Sequence, residues 1–157
     1  MSYNWPLMKN NITIGDRFNL AKFVLTSDRF TNGPKVKQFE KKWSDWLGAK
    51  YSLYVSSGST ANYLMLSAVK ELYGLNSGDK VLVPACTWVT NVAPVIQLGF
   101  TPIFCDINIK NFSFCEKDLE YLSKKHSDIK LVFATHLIGF PANHKKINEL
   151  FPNSLIL

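Results

Sequence analysis

Apolar residues return along this chain at two alternating periods. Ile14, Phe18, Ala21 and Leu25 recur every three or four residues, which predicts a helix over residues 14–26. A Thr31-Asn32-Gly33-Pro34 turn follows, in which Pro34 can start the next helix. In that helix Val36, Phe39, Trp43, Trp46 and Leu47 form an apolar stripe expected to pack. Lysines fill the other face, and Gly48 is a natural C-cap. Residues 50–55 alternate with period two and predict a strand. Small residues at 56–59 lead into a helix reaching about residue 73, with Ala61, Leu64, Ala68 and Leu72 on one face and Gly74 at its end. Residues 80–85 are a short, nearly continuous apolar run, as expected of a strand buried on both faces. A helix over 89–98 is closed by Gly99, and Pro94 inside it predicts a kink or a delayed start. The pattern continues with a strand at 103–107, reached through Thr101 and Pro102, and a helix at 115–125. That helix carries acidic residues in its first turn and Lys124 and Lys125 in its last, matching the macrodipole. A strand at 131–135, a helix at 143–150 and a strand starting at 154 complete it.

This alternation predicts an α/β domain with a mostly parallel sheet flanked by helices. The chain stops midway through an apolar strand, so residues 1–157 are expected to be the N-terminal part of a larger domain, truncated. With 46% apolar and 19% charged residues the composition is globular. No run of eighteen apolar residues suggests a membrane span, and the first residues lack the order of a signal peptide, so a cytoplasmic protein is expected. The three cysteines, Cys86, Cys105 and Cys115, fit neither a disulfide frame nor a metal site. Cys115 sits at a helix start, where a thiolate is favoured; the plainer reading is an inert small thiol. A net charge of +6 raises the question of a nucleic-acid partner, but the basic residues are scattered and form no stripe with interleaved aromatics. A mild positive field also suits an anionic substrate.

Three segments carry candidate chemistry. In Ser56-Ser57-Gly58-Ser59-Thr60-Ala61-Asn62 small residues allow a tight turn, and the following helix aims its positive end at the same point. This is a phosphate cradle in physical terms, though such a cluster serves equally well as a helix cap. Trp88, in Pro84-Ala85-Cys86-Thr87-Trp88, lies just past a buried strand, where its ring can stack on a flat cofactor or pack under a loop. His136, in His136-Leu137-Ile138-Gly139-Phe140-Pro141, opens a sharp turn and is either an acid–base group or a hydrogen-bonded structural residue. His126 and His144 read as surface residues. All three segments follow strands, so a parallel sheet brings them to one edge.

In these residues, with Gly99-Phe100-Thr101-Pro102-Ile103-Phe104-Cys105-Asp106-Ile107, the chain resembles the DegT/DnrJ/EryC1/StrS sugar aminotransferases. The resemblance implies the large domain of the aspartate-aminotransferase (type I) fold. It implies pyridoxal 5'-phosphate (PLP), or pyridoxamine 5'-phosphate (PMP), as cofactor. Gly58, Ser59 and Thr60 would then hold the phosphate and Trp88 would stack on the ring. It also implies a nucleotide-linked keto-sugar as substrate and a homodimer in the full-length form; from the scattered charge and the lack of a long apolar run, neither nucleic acid nor membrane is expected as partner. The Ser-Ser-Gly-Ser-Thr-Ala-Asn spelling and Trp5-Pro6-Leu7-Met8 are similar to the branch of 4-keto-6-deoxy sugar-nucleotide 3-dehydratases. Phe140 departs from both branches, which usually carry Gln or Asn there. The family's carboxylate for the pyridine nitrogen, and its catalytic Lys or His, are expected beyond Leu157, so no catalytic residue is nominated. The reading is therefore the N-terminal part of a sugar-nucleotide aminotransferase. The alternatives are the matching part of a 3-dehydratase or a non-catalytic product with exposed apolar surface.

Overall fold

The computed structural model describes residues 9–157, so Trp5-Pro6-Leu7-Met8 lies outside the described residues. The chain forms two units, the first ending at Tyr54 and the second spanning Val55–Leu157.

In the first unit, helix α1 (Ile14–Thr26) is opened by a capping box. Asp16 N–H donates to Thr13 Oγ1 at 3.2 Å, and Thr13 N–H donates to Asp16 Oδ2 at 2.8 Å. Helix α2 (Pro34–Leu47) starts on Pro34 and ends on Gly48 in the left-handed conformation, as expected. The predicted strand at 50–55 does not form. The segment pairs with no neighbour among the described residues and instead lies against α2. Tyr54 N–H donates to Glu40 Oε1 at 2.9 Å, and its ring meets Phe39 edge-on at 5.4 Å. A single strand without a partner leaves its ladder groups unpaired, which is why period-two alternation alone does not make one.

The apolar faces of the two helices stay largely exposed. Ile14 and Phe18 are each 72% exposed, and α1 buries none of its residues. The aromatic stripe of α2 does pack, but on itself. Trp43 sits 6.0 Å from Phe39 and 5.0 Å from Trp46, with only Ser44 buried. Two helices and one unpaired segment cannot cover two apolar faces.

The second unit opens with helix α3 (Gly58–Leu72), followed by β1 (Lys80–Pro84), α4 (Val89–Gln97), β2 (Thr101–Cys105), α5 (Glu116–Lys125), β3 (Ile129–Val132), α6 (His144–Leu150) and β4 (Leu155–Ile156). The four strands form one parallel sheet in the order β2-β1-β3-β4. Alternate residues point to opposite faces, and two cores result. Val81 and Val83 of β1 pack with Leu131, with Leu66 and Val69 of α3 and with Val95 of α4. Leu82 packs on the other face with Val132, with Leu119 and Leu122 of α5 and with Ile147 of α6. The fold class and the helices match the pattern, with three corrections. The buried side of α3 is Leu66 and Val69, while Leu64 and Leu72 of the expected face are 42% and 79% exposed. Strand β2 begins at Thr101 and includes Pro102, which an edge strand tolerates because one side needs no donors. Strand β3 starts and ends earlier than residues 131–135. At the close of α4, Gly99 has φ +83°, and a Cβ there would lie 2.7 Å from Ser77 Oγ, so glycine is required twice over.

Two cross-element ion pairs tie the second unit. Lys80 Nζ lies 2.8 Å from Asp128, and Lys146 Nζ lies 2.7 Å from Glu120. Hydrogen bonds from these lysines hold both carboxyls below their ordinary range. A depressed carboxyl stabilises the fold above its unfolded pKa, and that stability is lost as pH falls through the folded value. The denaturation midpoint is thus expected to stay flat near neutrality and to drop below about pH 4. A midpoint unchanged in acid titrations would contradict this.

Among the described residues no helix is long and apolar enough to cross a membrane.

Candidate functional site

The sheet order places a reversal at its middle. From β1 the chain moves through α4 to β2 on one side; from β2 it returns past β1 to β3 and continues to β4. The loops after β1 and β3 therefore leave in opposite directions, and the carboxyl ends of these two strands form a topological switch point, where open α/β sheets bind ligands.

The segment at 56–60 folds into a helix start. Ser57 is the N-cap of α3, and its hydroxyl accepts from Thr60 N–H at 3.1 Å. The Thr60 hydroxyl lies 3.0 Å from that of Ser56 and 2.9 Å from that of Ser57. Gly58 and Ser59 N–H have no acceptor among the described residues, and both belong to the first turn of a long helix. A Cβ built on Gly58 meets nothing within 4 Å, so this end of the helix faces open space. A dianion fits here: two amides without an acceptor stand at a positive helix end beside open space, with a cluster of hydroxyls next to them.

Trp88 is the N-cap residue of α4 and is 73% exposed. It does not pack under a loop. Cys86, two positions earlier, is also exposed. Cys105 is buried, and burial pushes its thiol up to about 12, so it stays protonated. Cys115 caps α5 without a side-chain bond.

A polar network joins these loops. Pro94 has no N–H, so the Thr90 carbonyl one turn earlier lacks its helical donor. Asn62 supplies one: its Nδ2 donates to Thr90 O at 3.2 Å and to Asn91 Oδ1 at 2.8 Å. With that carbonyl satisfied, α4 runs from Val89 to Gln97 with Pro94 inside it, where the sequence predicted a kink or a delayed start. Asn91 Nδ2 in turn donates to Thr87 Oγ1 and to Thr135 Oγ1, both at 2.8 Å, and the two hydroxyls lie 3.0 Å apart. The carbonyl of Thr90 cannot donate, so it dictates which way Asn62 points. Asn62 then dictates Asn91, and Asn91 the two threonines. The start of α3, the loop after β1 and the loop after β3 thereby meet on one rim.

The turn after β3 is anchored by His136, whose Nδ1 accepts from Ala142 N–H at 3.0 Å and whose ring meets His144 edge-on at 5.2 Å. With Nδ1 engaged by the backbone, His136 fits the structural reading of the two. His126 is half-buried, its Nδ1 3.4 Å from Lys80 Nζ, and is not the plain surface residue expected. Ile138 has φ +54°, an unusual conformation for a β-branched residue, and is 80% exposed. Phe140 lies against Phe112 at 5.2 Å.

Gly58, Ser59, Thr60 and Trp88 thus stand at neighbouring helix starts on one edge. Thr135 entered no motif as a functional residue, and Asn62, Thr87 and Asn91 stood in motifs without a role. The one available signal was Pro94, which in a helix demands a substitute donor for residue 90.

The profile of the DegT/DnrJ/EryC1/StrS aminotransferase family matches residues 12–154. The GDP-4-keto-6-deoxy-D-mannose 3-dehydratase of Escherichia coli O55:H7 is 36% identical over 151 residues, 94% of this chain and 38% of that protein. The 3-oxo-glucose-6-phosphate:glutamate aminotransferase of Bacillus subtilis is 31% identical over 140 residues, 89% of this chain and 30% of that protein. Among solved structures, the E. coli dehydratase with bound hydrated PLP superimposes with a TM-score of 0.85 at 33% identity, covering 98% of this chain and 40% of that one. The chain therefore spans about two fifths of the length of the dehydratase it matches.

Proposed function

The chain belongs to the DegT/DnrJ/EryC1/StrS aminotransferase family, and from that premise we propose that its rim binds the phosphate and ring of PLP or PMP in an enzyme acting on a nucleotide-linked keto-sugar. Gly58 and Ser59 donate their amides to the phosphate, with the Thr60 hydroxyl beside them, and Trp88 lies against the ring. When bound, the cofactor supplies an electron-withdrawing ring coupled to the reacting carbon. What these residues contribute is grip and orientation. The amides hold a dianion at a fixed point, and the indole excludes water from one face of the ring.

The single observation that carries this reading is the 2.8 Å bond between Asn62 and Asn91, which joins the N-terminal ends of the two helices that bear the cradle and the tryptophan. PMP is the suitable probe, because it cannot condense with surface lysines. Titrated into the chain, it is expected to bind at one site and to be displaced by inorganic phosphate. Absence of binding, or binding that phosphate does not displace, would contradict the reading.

Amino transfer to the keto-sugar and dehydration at its C3 both remain within this assignment. Dehydration is the second reading, and relatives of both kinds match this chain, the E. coli dehydratase at 36% identity and the aminotransferase at 31%. The residue at the family's catalytic position, expected beyond Leu157, tests the choice: a His there supports dehydration, and a Lys supports transfer. We also place the whole protein in a homodimer. The exposed apolar faces of α1 and α2, with Trp46 at 75% and Leu25 at 84% exposure, support burial against further polypeptide.

A further inference from the structure

We infer that Asn62 and Asn91 are positioning residues that fix the distance between the phosphate-gripping amides and the Trp88 ring. The inference rests on the reading that both features hold one molecule. Asn62 stands three residues beyond Ser59, in the first turns of α3, and Asn91 three residues beyond Trp88, in the first turn of α4. The bond between them therefore spans the two halves of the site about one helical turn inside the amides and the ring. It is not what holds the helices together elsewhere. Deeper in the fold Leu66, Val69 and Val95 share one core. At the far end Lys70 Nζ donates to Leu98 O at 2.6 Å, closing α4. Loss of the asparagine pair leaves those contacts standing and frees only the rim.

Every polar hydrogen of the two amides has an acceptor in this arrangement. Asn62 Nδ2 serves Thr90 O and Asn91 Oδ1, and Asn91 Nδ2 serves Thr87 and Thr135. Neither asparagine has a hydrogen left for a ligand, so their role toward a cofactor is geometric. Of the two threonine hydroxyls, 3.0 Å apart, one donates to the other, and one hydrogen remains available at the switch point. The network thus anchors the rim to the loop after β3 as well.

A ligand that needs both halves should sense the clamp, while one that needs only the cradle should not. Asn62→Ala in the full chain is expected to weaken PMP about tenfold, a typical coupling between adjacent groups, and to leave the affinity for inorganic phosphate unchanged. The loss should vanish when Trp88→Ala is already present, because the spacing then no longer matters. Thr135→Val, which keeps the shape and removes only the outer anchor, should show the same split to a smaller degree and guards against a folding defect in the first variant. Equal weakening of PMP and phosphate, or a loss that persists without Trp88, would overturn the clamp. If the wild-type chain failed to bind PMP at all, the functional reading beneath it would fall as well. Wild-type binding with an unaffected Asn62→Ala variant would overturn the clamp alone.

Discussion

Ser59→Asp is expected to make the fold more stable and cofactor binding far weaker. Residue 59 lies in the first turn of α3, where unpaired amides and the helix dipole favour negative charge. A carboxylate there stabilises a helix by about 0.3–1 kcal/mol, so the melting temperature should hold or rise. The same carboxylate sits where the phosphate dianion would bind. Two like charges about 4 Å apart repel by about 4 kcal/mol at an effective dielectric constant of about 20, and phosphate carries nearly two. Even after solvent screening, PMP affinity should fall on the order of a hundredfold or more. The opposed signs make the test sharp: a structural cap predicts the first effect without the second. Calorimetry and a PMP titration on one sample read both. Undiminished PMP affinity in a stably folded variant would remove the cradle from the site.

The largest effect on stability is expected at Leu82. Its side chain is fully buried on the central strand β1, between Ile103 of β2 and Val132 of β3 in register, with α5 and α6 covering that face. Leu82→Ala removes buried methyl groups and leaves a cavity that a parallel sheet cannot easily close, at a cost of about 2–5 kcal/mol. Domains of this size hold about 5–15 kcal/mol in total, so the variant should melt far earlier or fail to fold. Leu72→Ala is the control. That leucine is 79% exposed on α3, and its replacement should change stability by no more than about 0.5 kcal/mol. Comparable losses at both positions in denaturant titrations would mean that the burial described above is wrong.

These two leucines also show what was legible in the sequence. The run Lys80–Pro84 is apolar at nearly every position, and only a strand buried on both faces needs that, so β1 and its place in a parallel sheet could be read directly. Leu72 belongs to an equally periodic pattern, yet periodicity cannot say which of two apolar faces meets the sheet, and α3 turned the other one inward. Residues 50–55 have the alternation of a strand, but a strand is defined by its neighbour, and none pairs with it among the described residues. The exposure of α1 has the same origin: a pattern records the need for burial and not the partner that satisfies it.

The candidate site divides along similar lines. Gly58, Ser59 and Thr60 could be picked out because a cradle is local, built from consecutive residues around one helix start. Trp88 could be picked out because it follows a strand. The network that joins them could not, because its members are far apart in sequence. Asn62 and Asn91 are 29 positions apart, and Asn91 and Thr135 are 44. Only folding of the sheet brings them within bonding distance. Pro94 marks the one place where local logic reaches across, since a proline inside a helix leaves a carbonyl that something must satisfy.

The most direct test of the shared rim is a titration of the isotopically labelled chain with PMP, followed residue by residue by NMR. The account predicts that the Gly58 and Ser59 amides and the Trp88 indole N–H shift together and saturate at the same ligand concentration. Shifts confined to one of these features, or saturation of the two at different concentrations, would contradict it.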